Sequence, residues 1–146
     1  MSTIDPNQII KKTVLFVRDF LRDNITDPAA SSRPSGSYFV LTQRASKTVY
    51  YPVILVYHID SPGIPLCSYS SMFEHTIRIA VDVYATKLEQ VDTITDEILA
   101  KIKEKRSQFT DYGLLDGRIP VVRHNPPPGS ETLHRKTIEL EFRVYT

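Results

Sequence analysis

At 146 residues, with 24% charged residues, a formal net charge of +1 and one cysteine, the chain has the composition of an ordinary globular domain. The near-neutral balance excludes bulk attraction to nucleic acid or membrane surfaces, and Cys67 alone can close no intrachain disulfide. The opening "MSTIDPNQIIKK" has no apolar signal core, and the longest aliphatic run, Val53 to Val56, is far too short to span a bilayer, so a cytoplasmic protein is expected unless it is exported inside something larger.

Asp5-Pro6 reads as a helix start, an N-cap acid followed by proline at the first helical position. Ile9, Ile10, Val14, Val17, Phe20, Leu21 and Ile25 then recur at helical spacing and predict a helix from Pro6 to about Asn24. A polar loop at about 25–36 follows. "SYFVLTQR", Ser37 to Arg44, predicts a strand; Ala45-Ser46 makes a short turn into a second strand, Lys47 to Ile59. Pro52 cannot donate to a ladder and marks an edge or bulge. After a second loop, at about 60–71, comes a strand from Met72 to Ala85.

"TIRIAVDVYATKLEQVD" changes rhythm partway. It alternates through Tyr84, then repeats every three or four residues. Thr86 and Glu89 fit a capping box at that joint. Leu88, Val91, Thr95, Ile98, Leu99 and Ile102 give the second helix its stripe, and Lys101, Lys103, Lys105 and Arg106 complement its negative end. "RIPVVRH", Arg118 to His124, predicts a short strand. A polar loop at about 125–132 leads to the last strand, with Ile138, Leu140, Phe142 and Val144 inward and Glu139, Glu141 and Arg143 outward. The order α-β-β-β-α-β-β predicts an α+β fold, one domain over 1–146, with a mostly antiparallel sheet and both helices on one face.

The strands are not alike. The last one and Met72–Ala85 are half polar, whereas the first two are apolar on both sides, as in strands covered on both sides. A long loop or another subunit could supply the second cover. An apolar patch beside charged strands suits a subunit interface, formed by Phe39, Leu41, Ile54 and Val56.

No catalytic set emerges, and a non-enzyme without a cofactor is expected. The five glycines form no phosphate loop. His58, His75, His124 and His134 lack metal-ligand spacing, although His58 and His75 flank one loop and could face each other. Asp82, Glu139 and Glu141 could suggest hydrolytic acids, but Arg78 and Arg143 interleave them, and cross-strand ion pairs explain the set more simply.

The chain as a whole, and above all the strand-to-helix passage "AVDVYATKLEQVDTITDEILAKI" and the ending "TIELEFRVYT", resembles the tail-terminator and tail-completion proteins of long-tailed viruses. The resemblance implies a ring, commonly of six subunits, that caps the tail tube and joins tail to head in the virion, assembled in the host cytoplasm. It implies a tail-tube protein on one side and a neck or connector protein on the other, and no membrane. The mixed-charge face, Arg78, Asp82, Glu139, Glu141 and Arg143, would border a channel that DNA crosses without specific binding. The loop after the second strand, with Ile64, Leu66, Tyr69 and Met72, would dock the tube. A neck or head-completion protein, or a free-standing α+β binding module, is the alternative.

Overall fold

The computed structural model describes residues 4, 7–34, 37–43, 49–61, 63–65, 73–129 and 132–145, with only the backbone described for 63–65 and 73. Helix α1 (Ile9–Asn24) buries Thr13, Val17, Phe20 and Leu21. The proposed start at Asp5-Pro6 lies outside the described residues, and Gln8 is the N-cap, with no side-chain cap bond. The strands are β1 (Val40–Leu41), β2 (Val53–Asp60), β3 (Gly63–Pro65), β4 (Phe73–Ala85), β5 (Leu115–His124) and β6 (His134–Tyr145). Between β4 and β5 stand helices α2 (Leu88–Glu104) and α3 (Arg106–Tyr112).

The fold is α+β, with a mostly antiparallel sheet in the order β1-β2-β4-β6-β5; β3 pairs with the start of β4. The long β4–β6 ladder runs from Glu74 opposite Tyr145 to Ala85 opposite His134. Period-2 alternation sends Ile77, Ile79, Val81 and Val83 of β4 and Ile138, Leu140, Phe142 and Val144 of β6 into one core. All three helices contribute to that core: Val17, Phe20 and Leu21 of α1, Val91, Ile94 and Ile98 of α2, and Phe109 of α3. Phe109 sits between Phe20 and Phe142, with ring centroids 4.6 and 5.3 Å away.

Several expectations need correction. β1 pairs with β2 in parallel, Val40 opposite Ile54, so a tight hairpin does not join them. Ala45 and Ser46 lie outside the described residues. Pro52 precedes β2 rather than interrupting it. The capping box does not form: Lys87 is the N-cap of α2 with no side-chain cap bond, and Leu88 is 42% exposed. α3 was not expected. Gly113 ends it in the left-handed region at φ 107°, where its N–H bonds back to the carbonyls of Phe109 and Thr110. The first loop is not empty of contacts either. Arg33 bonds both oxygens of Asp27, at 2.7 and 2.9 Å, and the carbonyls of Tyr50 and Pro52. The Arg33 side chain is buried by this clamp, and its hydrogen bond holds the Asp27 carboxyl below the usual carboxylate range.

Candidate functional site

The helices leave the other sheet face open, and strand register decides what meets there. On β4 and β6, Arg78 lies opposite Glu141, Ala80 opposite Glu139, Asp82 opposite Thr137 and Tyr84 opposite Arg135. β5 adds Arg118 opposite Glu141, and β2 adds Leu55 opposite Asp82 and Tyr57 opposite Ala80. Directly opposed side chains on one face are close enough to pair.

Two polar networks result. In the first, Glu141 accepts from Arg118 through Nε at 2.8 Å and also through Nη2, and from Arg78 Nε at 3.3 Å. Arg78 also reaches Asp60 at 3.1 Å. Burial works to raise the Glu141 carboxyl, but the two arginines outweigh it and hold it below the usual carboxylate range. Arg143 bridges Glu74 at 3.3 Å and Asp116 at 3.7 Å, and Arg123 pairs with Glu139 at 3.4 Å. In the second network, the Thr137 hydroxyl donates to Asp82 Oδ1 at 2.6 Å, and Tyr84 reaches Oδ2 at 3.5 Å. Arg135 Nη1 donates to the Tyr84 oxygen at 3.2 Å, while its Nε holds the Asn125 carbonyl at 2.6 Å. Burial, then the charge of Asp82, push the Tyr57 phenol up.

The centre of this face excludes water although no described helix covers it. Asp82 is 3% exposed, Thr137 2% and Glu141 5%. Chemically the arrangement is self-satisfied. Arginines answer its carboxylates except Asp82, which hydroxyls hold, and its raised phenol stays protonated near neutrality, a donor rather than a nucleophile. Among the described residues no three His, Cys, Asp or Glu side chains gather as a metal site. His58 bonds Ser61 at 2.6 Å. No described helix is long and apolar enough to cross a membrane.

The five residues expected on the mixed-charge face, Arg78, Asp82, Glu139, Glu141 and Arg143, therefore share the open face of β4 and β6. The expected subunit-contact residues divide. Phe39, Ile54 and Val56 belong to the core of the single chain and are corrected to that role. Register puts Ile54 opposite Val83 and Val56 opposite Val81, which face the helices. Leu41 alone lies on the other side, opposite Leu55. There Leu41, Val53, Leu55 and Tyr84 join Tyr51, Pro127 and Pro128 around a groove of about 550 Å³. Of the tube-docking residues, Ile64 is in β3 opposite Glu74, and Leu66, Tyr69 and Met72 lie outside the described residues.

Sequence reasoning missed Arg118, Arg123, Arg135, Thr137, Asp60 and Glu74 as partners on this face. Alternation along the last strand already put Thr137 and Arg135 on the side of Glu139. Arg118 could not be assigned, because β5 changes register between Leu115 and Arg118 and again before Val121.

The chain matches no protein-family model and no curated protein.

Proposed function

We propose that the protein is a structural virion component that assembles as a ring, caps the tail tube and joins tail to head, with no catalytic turnover. One observation carries the reading: a broad sheet face, covered by no described helix, on which five arginines (78, 118, 123, 135 and 143) meet six carboxylates (60, 74, 82, 116, 139 and 141) mostly in direct pairs. Such a surface is polar at its rim, where Arg78, Arg118, Arg123 and Arg143 stay exposed, yet it offers phosphates no net positive charge, so DNA can pass without being gripped. A mutually paired surface also leaves no activated group for catalysis. The strand-to-helix passage at Ala80–Ile102 supports the same family reading. In this proposal the groove at Leu41, Val53 and Leu55 replaces Phe39, Ile54 and Val56 as the subunit contact. The partners are the tail-tube protein on one side and a neck protein on the other.

Sedimentation velocity on the purified chain, together with electron microscopy of particles made without it, tests this. A closed ring in solution, with detached heads and tails of uncontrolled length in its absence, is the expected outcome. Detached heads with tails of normal length would point to the neck-completion alternative. A chain that stays monomeric at high concentration, and whose loss leaves particles normal, overturns the proposal; the groove would then favour the free-standing binding module.

A further inference from the structure

On the helix side of the sheet, near the end where β5 begins, a pocket reaches the edge of the core. A cavity of about 200 Å³ opens beneath the corner between α2 and α3. Its walls are Leu99, Ile102, Phe109, Leu114, Ile119 and Phe142. β5 forms one side of it through Gly117, Arg118 and Ile119. Two register shifts interrupt that strand's ladder with β6 between Leu115 and Val121. Asp116 sits at φ 49°, an uncommon conformation for a residue with a side chain. Gly117 comes so close to the floor that a Cβ there would lie 3.1 Å from the Phe142 ring. Bulges and strained residues of this kind cluster where a site needs a particular shape.

The mouth carries a definite charge. Lys103 and Arg106 line it, and no carboxylate does. Arg118 lines it as well, but its guanidinium already meets Glu141. Nearby, Lys101 meets Glu104 and Lys105 meets Asn24. Among the described residues, Lys103 and Arg106 have neither an ion-pair nor a hydrogen-bond partner. The C-terminus of α2 accounts for the placement of Lys103, but Arg106 opens α3, where the dipole favours no cation, and neither helix end accounts for the apolar pocket beside them.

We propose that this cavity is a docking socket for one large apolar side chain of another protein, flanked there by acidic residues that meet Lys103 and Arg106. Size selects this occupant. Small-molecule sites run to roughly 300–1,000 Å³, and this one is smaller, on the scale of a single leucine or phenylalanine side chain. An anchor residue in a desolvated pocket with a charged rim is the usual economy of a protein contact. The proposal rests on the assembly role above only in supplying it with a docking chemistry, and ring formation is a separate matter.

The test uses the full chain and blocked hexapeptides, read by methyl NMR at Leu99, Ile102, Leu114 and Ile119. The sequence Glu-Glu-Phe-Leu-Glu-Glu should shift these methyls, and its lysine counterpart Lys-Lys-Phe-Leu-Lys-Lys should not. Both variant positions are exposed, so Lys103→Glu with Arg106→Glu should leave folding and oligomeric state unchanged while weakening the acidic peptide about tenfold or more, the loss of roughly 1.4 kcal/mol. Equal binding of both peptides, or unchanged affinity in the double variant, overturns the proposal. So does a response to octanoate with none to the acidic peptide, which would make the cavity a site for small amphiphilic acids. Each of these outcomes is independent of whether the chain forms rings.

Discussion

The two faces of the sheet exclude water almost equally well at their centres, by opposite means. On the covered face, Ile79, Val81 and Leu140 lose their water to three helices. On the open face, Asp82, Thr137 and Glu141 lose theirs to one another and to the arms of arginines and tyrosines around them. The first face needs shape alone; any well-fitted apolar group of the right volume serves it. The second needs each partner in place, because a buried polar atom left without one loses its hydration and gains nothing. Stability should therefore respond to different kinds of change on the two sides.

Truncation on the covered side should produce the largest effect. Phe109 touches Phe16, Phe20 and Phe142 and seals the base of the α2–α3 corner. Phe109→Ala should cost about 3–5 kcal/mol in urea unfolding, the range for buried aromatics. On the open side, Asp82→Ala should cost less, about 1–3 kcal/mol, by stranding the Thr137 hydroxyl and loosening Tyr84. Asp82→Asn keeps an acceptor at Oδ1 and should recover part of that loss. If Asn restores nothing, the network is not held by its hydrogen bonds, and the contrast between the faces fails.

How far the sequence shows this contrast depends on the strand. β4 and β6 alternate so regularly that both their faces, and the five charged positions on the open one, were legible. β1 and β2 were not. Tyr38 and Val40 against Phe39 and Leu41, or Ile54 and Val56 against Val53 and Leu55, are comparably apolar, so alternation separates two sets without saying which the helices take. That choice is made by tertiary register, Ile54 opposite Val83, which leaves no local trace. The parallel pairing of β1 was likewise invisible, since two residues of ladder carry no periodic signal. α3 is short, polar on most sides, and announced chiefly by Gly113 at its end. In the first loop nothing local marks Arg33 for a role; its four acceptor atoms come from Asp27 and from two carbonyls ahead of β2. The capping-box pattern at Thr86 failed because the chain stays extended through Lys87, one residue longer than the pattern requires.

The smallest of these effects is also the most selective. Glu141 titrates lower in the folded chain than in the unfolded one, since burial raises its carboxyl less than Arg118 and Arg78 lower it. The folded state then binds fewer protons, so the stabilisation is complete above the ordinary carboxylate range and drains away as pH falls below about 4. Both guanidiniums stand largely in water, 65% and 41% exposed, so solvent screens the pair and its contribution should be only a fraction of the Asp82 effect. Glu141→Gln should be less stable than the parent at pH 7, and its deficit should shrink as pH falls below the ordinary carboxylate range and the parent's own carboxyl takes up its proton. Phe109→Ala should keep the same deficit across that whole range, because no proton is involved in filling a cavity. Urea titrations of the three proteins at several pH values, followed by circular dichroism, make the comparison. A Glu141→Gln deficit that persists undiminished at pH 2 would mean that the side chain acts by packing, and that the open face is held together by the same means as the covered one.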